Sequence, residues 1–181
     1  MARPRKACGE PGGGHPTASG TCDAPASGMK MPPLPKHILV PIDFSETAER
    51  ALDYAVALAA KLDARIQVIN IIGIPAFGIP ELGVALTSTM MDSMVRGNQA
   101  ALERLVENHR GAVPFDEVML RSGDARDLIL QAAEEVHADL IVMGTHGRRG
   151  VSRVLLGSVA EAVVRAAPCP VLTVRAKLVQ V

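Results

Sequence analysis

Apolar positions along the chain fall into short β-branched runs separated by stretches with helical spacing. His37-Ile38-Leu39-Val40-Pro41-Ile42 predicts a buried strand. Asp43-Phe44-Ser45 ends it, and Ser45 is a natural helix N-cap with Glu46 in the first turn. Ala51, Leu52, Ala55, Leu58, Ala59 and Leu62 then recur on one helical face. Residues 65–72 (RIQVINII) predict a second strand. Gly73, Pro75, Gly78, Pro80 and Gly83 break the pattern into a loop, and a longer helix is expected from Thr87 to His109, weakest at Gly97. Residues 115–121 alternate as a third strand, and Asp124 caps a helix over Leu128, Ile129, Ala132, Ala133 and Val136. Residues 139–143 predict the fourth strand, Ser158 to Ala167 a helix stopped by Pro168, and Val171 to Val174 the fifth strand.

Strands joined by helical crossovers predict an α/β fold, an open parallel five-stranded, Rossmann-like sheet with helices on both faces. Right-handed crossovers leave few topologies. In such sheets ligands gather beyond the carboxyl ends of the strands, where the strand order reverses. If the order is 3-2-1-4-5, the ends of the first and fourth strands flank that point. These ends carry Pro41-Ile42-Asp43 and Gly144-Thr145-His146-Gly147.

Composition narrows the classes. The 181 residues are 48% hydrophobic and 21% charged, enough for one core. Lys+Arg and Asp+Glu balance at 19 each, which argues against a general nucleic-acid binder. Aromatic residues are 2% of the chain, too few for base-stacking platforms. Cys8, Cys22 and Cys169 offer neither a disulfide framework nor a CxxC zinc spacing, so a cytoplasmic setting is expected. No stretch of apolar residues is long enough to span a membrane. The balance hides an asymmetry: residues 1–36 hold five basic and two acidic side chains, six Gly and seven Pro. Residues 1–35 are therefore expected to be a disordered tail, and residues 36–181 the folded domain.

The loop after the fourth strand carries the chemistry. Gly144 leaves the strand where a missing side chain lets a ligand approach the backbone, and Gly147 permits a positive φ. Gly157-Ser158 open the next helix, whose free N–H groups and positive dipole end suit a phosphate. Arg148, Arg149 and Arg153 add positive charge. The bland alternative is a glycine-rich turn with a Ser N-cap. Three glycines, that Ser and three arginines at the expected ligand edge favour phosphate. There is no P-loop and no GxGxxG, and without a P-loop lysine the loop fits binding better than fast phosphoryl transfer.

The spacing G-x2-G-x9-G-[ST] at Gly144, Gly147, Gly157 and Ser158, with the opening Val40-Pro41-Ile42-Asp43-Phe44-Ser45, resembles the ATP-binding universal stress proteins over residues 36–175. The resemblance implies the order 3-2-1-4-5, an adenine nucleotide (ATP or AMP, with Mg), and a homodimer through the last strand. It places Pro41 and Asp43 on the nucleoside side, Ile71 against adenine, and Met143 and Gly144 at ribose and base. Gly147, Gly157, Ser158 and Val159 would meet the phosphates. Read without it, Ile71 and Met143 are equally ordinary core, and Asp43 a helix-capping residue.

The implied function is a nucleotide-binding, regulatory stress-response module without robust catalysis. Its rivals are a slow ATP hydrolase or phosphotransferase using the same pocket, with Asp43 the acidic candidate, and a dimerisation module without ligand. His146 reads as a solvent-facing loop residue. Met90, Met91 and Met94 read as one side of a packed helix, Glu134-Glu135 as a solvated helix face, and Cys169 as a buried thiol between two prolines.

Overall fold

Apolar runs buried on both faces build a single five-stranded sheet in a computed structural model that describes residues 33–73, 88–145 and 156–175. Its elements are β1 (His37–Ile42), α1 (Glu46–Leu62), β2 (Arg65–Ile72), α2 (Ser88–Glu107) and β3 (Met119–Ser122). They continue with α3 (Ala125–Glu135), β4 (Leu140–Gly144), α4 (Ser158–Ala166) and β5 (Val171–Val174). The strand order is β3-β2-β1-β4-β5, with every pair parallel. The order reverses between β1 and β4. The tail expectation, the loop breakers Pro75 to Gly83, and His146, Gly147, Arg148, Arg149 and Arg153 lie outside the described residues.

Each face of the sheet has its own core. Ile38, Val40, Ile42, Ile66, Val68, Leu140 and Val142 pack beneath α1 and α2, with Leu52, Leu102 and Val106 from the helices. Leu39, Ile69, Ile141 and Met143 pack beneath α3 and α4, with Ile129, Ala132, Ala133, Ala160 and Val163. The period of two along each strand divides the residues between the two layers. The buried face of α1 is rich in alanine (Ala48, Ala51, Ala55, Ala59), which lets that helix lie close over β1, β4 and β5.

Helix ends follow the expected chemistry. Ser45 caps α1, its side chain accepting from the Ala48 N–H, and Asp124 caps α3, accepting from Arg126 and Asp127. At the other end of the sheet, the Asp139 carboxylate accepts the Lys36 and His37 N–H groups at 2.9 and 3.0 Å. Those two bonds hold its pKa below the ordinary range despite the opposing effect of burial.

The structure corrects several boundaries. The third strand begins at Met119 rather than Phe115. Phe115 makes only an isolated bridge to Ile66. Beyond it the register shifts by one residue, from Ile66–Phe115 to Ile69–Met119, and within that shift the Gln67 side-chain amide donates to the Glu117 carbonyl at 2.6 Å. α2 runs through Gly97 without interruption. Met94 is exposed and Met91 half-buried, so these two do not form one packed side. Cys169 is half-buried rather than buried, with burial the main cause raising its thiol pKa.

Candidate functional site

β1 and β4 separate at their carboxyl ends. β1 pairs with β2 as far as Ile42–Asn70, but with β4 only as far as Leu39–Ile141. The Arg65 N–H donates to the Lys36 carbonyl, so even-numbered backbone groups of β1 face β2 and odd-numbered ones face β4. Pro41 thus faces β4 and has no N–H to continue the ladder. A proline in a central strand is here the device that lets the sheet open at its switch point.

The turn after Pro41 is tightly held. Asp43 Oδ1 accepts the Ser45 N–H at 3.1 Å and the Ser45 hydroxyl at 2.5 Å. Ser45 Oγ also lies 3.0 Å from Thr47 Oγ1. Between Asp43 and Ser45, Phe44 adopts φ 60°, a left-handed conformation that a bulky residue rarely takes. Such a conformation costs about 1–3 kcal/mol and persists where the surroundings dictate it. Asp43 therefore helps to order the first turn of α1. That engagement leaves Oδ1 already occupied by two donors.

Across the gap, the first turn of α1 lies against the end of β4. A Cβ built on Gly144 would fall 2.9 Å from Thr47 Oγ1 and 3.0 Å from the Thr47 carbonyl carbon. The space left by the missing side chain is occupied by helix packing, where the sequence suggested ligand approach. Thr145, 1% exposed, follows directly. Its N–H donates to the Val174 carbonyl at 2.9 Å, and its carbonyl accepts the Gly157 N–H at 2.7 Å. This last bond ties the exit of β4 to the entry of α4, so the two ends of segment 146–156 meet at the switch point.

Gly157, not Ser158, is the N-cap of α4, and it makes no side-chain capping bond. Ser158 is exposed and Val159 half-buried in the first turn. The amides of that turn have no helical acceptor and no capping side chain, and they lie at the positive end of the helix dipole. Anions suit such a terminus. Ile71 and Met143 belong to the same apolar cluster on the α3/α4 face. Pro41 lies on the strand between them, so the structure brings these three predicted residues to one region and both readings of the apolar pair remain compatible with it.

Sequence reasoning passed over Thr47, Asn70 and Thr145, which are buried polar residues at this edge. Asn70 Nδ2 donates to the Ile42 carbonyl at 2.7 Å. Polar residues inside an otherwise apolar strand, Gln67 and Asn70 in RIQVINII, are the available signal. A separate cavity of about 520 Å³ lies at the amino end of the sheet, lined by Gln99, Glu103, Arg110, Phe115 and Asp116 among others, and shares none of these residues. Among the described residues no group of three His, Cys, Asp or Glu side chains gathers as a metal site, and no helix is long and apolar enough to cross a membrane.

Known proteins match this arrangement. The family model described as universal stress protein family matches residues 35–175. A universal stress protein of Methanocaldococcus jannaschii is 35% identical, over 78% of this chain and 83% of its own. The solved universal stress protein of Lactobacillus plantarum has a TM-score of 0.66 at 28% identity, covering 77% of this chain and 97% of its own. A universal stress protein solved in complex with cAMP has a TM-score of 0.56 at 24% identity, covering 78% and 97%, and shares the fold. With a family match across the whole sheet and its switch point, this chain belongs to the universal stress protein family.

Proposed function

We propose that the protein binds an adenine nucleotide, ATP or AMP, at the carboxyl ends of β1 and β4 and acts as a regulatory binding module. The observation that carries this reading is the Thr145–Gly157 hydrogen bond. It delivers the uncapped start of α4 to the edge where Pro41 opens the sheet. The N–H groups of Ser158 and Val159 would meet the phosphates, with Gly147 and with Gly157, whose own N–H is held by the Thr145 carbonyl, beside them. Ile71 and Met143 would offer apolar contact to the base, and Pro41, Asp43 and Gly144 would line the nucleoside. A neighbour of the same fold carries cAMP, which supports the nucleotide class. The donor set fits a magnesium ion that arrives on phosphate oxygens with its own waters better than one caged by protein carboxylates.

Binding is favoured over turnover because Asp43 Oδ1 is held by Ser45. The module acts as a homodimer through β5, the strand at the open edge of the sheet. Calorimetric titration with ATP, AMP and GTP in the presence of magnesium tests the reading. ATP at 100 times its dissociation constant should stabilise the fold by about 2.7 kcal/mol, or roughly 5–10 °C in melting temperature. GTP should act more weakly. Millimolar ATP that moves neither the melt nor the titration would overturn the reading.

A further inference from the structure

Asn70 is 3% exposed, one residue before the predicted base contact Ile71 and level with Ile42 across the sheet. Its Nδ2 donates to the Ile42 carbonyl at 2.7 Å. Its Oδ1 is buried and has no partner among the described residues. Such an oxygen gives up its bonds to water and receives nothing in return. An apolar residue would fill this strand position without that loss. A polar side chain that persists half-satisfied in a core points to a demand other than stability.

The demand is visible one residue further on. Ile42 is the last residue of β1, and the chain then turns through Asp43 and the left-handed Phe44 into Ser45. The Asp43–Ser45 bonds secure the far side of this strained turn, and the Asn70 amide secures its near side. We propose that Asn70 is a positioning residue: its buried amide fixes the Ile42 carbonyl, and thereby the placement of the Asp43–Ser45 turn at the nucleotide site. The role in ligand binding rests on the nucleotide reading above. The role in the turn stands on the geometry alone.

The test uses the full chain with Asn70→Leu and Asn70→Asp, ATP with magnesium as probe, and hydrogen exchange at the Ser45 amide. Asn70→Leu removes the donor and the orphaned oxygen together. It should melt close to the wild type, exchange the Ser45 amide about tenfold faster, and bind ATP about tenfold more weakly, as for one lost hydrogen bond. Asn70→Asp keeps the shape. When protonated it can donate to the Ile42 carbonyl, and burial raises its pKa. Its affinity relative to wild type should be near unity at acidic pH and fall as pH rises. That profile would not follow from a merely structural role, and it decides the question if the leucine variant fails to fold.

Unchanged Ser45 exchange in Asn70→Leu would overturn the proposal whatever the ligand. A wild type that binds ATP, with Asn70→Leu binding it equally, would overturn the link to the site alone. A wild type that binds no nucleotide would sink the functional reading, and Ser45 exchange would still decide for or against the role in the turn.

Discussion

Thr47, in the first turn of α1, occupies the space that a side chain on Gly144 would need. Two of the three nearest contacts are side-chain atoms, but the third is the Thr47 carbonyl carbon, so a rotamer change cannot relieve the clash. Glycine at the end of β4 is thus a requirement of α1 packing. Gly144→Ala should destabilise the fold by about 1–3 kcal/mol, as overpacking does. In a thermal melt that is a fall of roughly 3–10 °C. Gly144→Val should fall further and lose nucleotide through disturbed packing. A Gly144→Val protein that melts like the wild type would show that α1 adjusts freely.

Gly157 gives the complementary result, because it caps α4 without a side chain. Gly157→Asp supplies a capping carboxylate at the positive helix end. The fold should be unchanged or stabilised by about 0.5–1 kcal/mol. The same carboxylate would repel a phosphate and take its N–H partners. ATP affinity should then fall about 10- to 100-fold. Stability and affinity moving in opposite directions is the signature to seek. Affinity retained alongside improved stability would remove the phosphate from this helix end. Ser158→Ala should lose less, since the backbone amides stay.

The open edge of β5 can be probed without touching its ladder to β4. Ile141 and Thr145 donate to the carbonyls of Pro170 and Val174, so the even-numbered backbone groups of β5 face β4. Val171 and Thr173 present theirs to the open edge. Thr173→Pro removes one outward donor, whereas Leu172→Pro would break the internal ladder and disturb the core beneath α1. Sedimentation of the wild type should give about twice 19.0 kDa, and Thr173→Pro about 19.0 kDa, with the melt largely kept. A wild-type monomer at high micromolar concentration would refute pairing through this edge.

Residues in continuous patterns were legible in advance, and residues whose role depends on a distant partner were not. The runs at Ile38–Ile42 and Ile66–Ile69 announce central strands because both faces are buried. Ser45 and Asp124 announce their caps because the acceptor and the N–H it serves are a few residues apart. By contrast, β3 starts only at Met119 because its register on β2 shifts by one residue, where Gln67 meets a carbonyl at residue 117, and nothing local reports that. Gly144 was read as a space for ligand because sequence does not say that Thr47 fills it. Ser158 looked like a cap, but the helix begins one residue earlier than its side chain could serve. Pro41 argues locally against a central strand, and only the pairing register shows that its missing N–H falls where the ladder ends.

His109 and Asp53 give the fold a defined pH response. The His109 ring bridges two acceptors, with Nδ1 3.0 Å from the Leu105 carbonyl and Nε2 2.9 Å from Asp53 Oδ1. Both contacts are hydrogen bonds only when both ring nitrogens carry protons. Burial alone would lower the pKa, but the Leu105 carbonyl and the bond and charge of Asp53 outweigh it and hold the imidazole above its ordinary 6.5. A raised folded-state pKa means that the native state binds the proton more tightly than the unfolded chain does. The stabilisation is therefore complete below about pH 6.5 and is lost as pH rises through the higher folded value. Asp53 is largely exposed, so the tie between α1 and α2 should contribute only about 0.2–1 kcal/mol. Melting temperatures of wild type, His109→Gln and Asp53→Asn measured from pH 5 to 9 check this. The wild-type advantage should be largest at the acid end and shrink towards pH 9. An advantage that is flat across the range, or that grows with pH, would show that the ring is held in its neutral form.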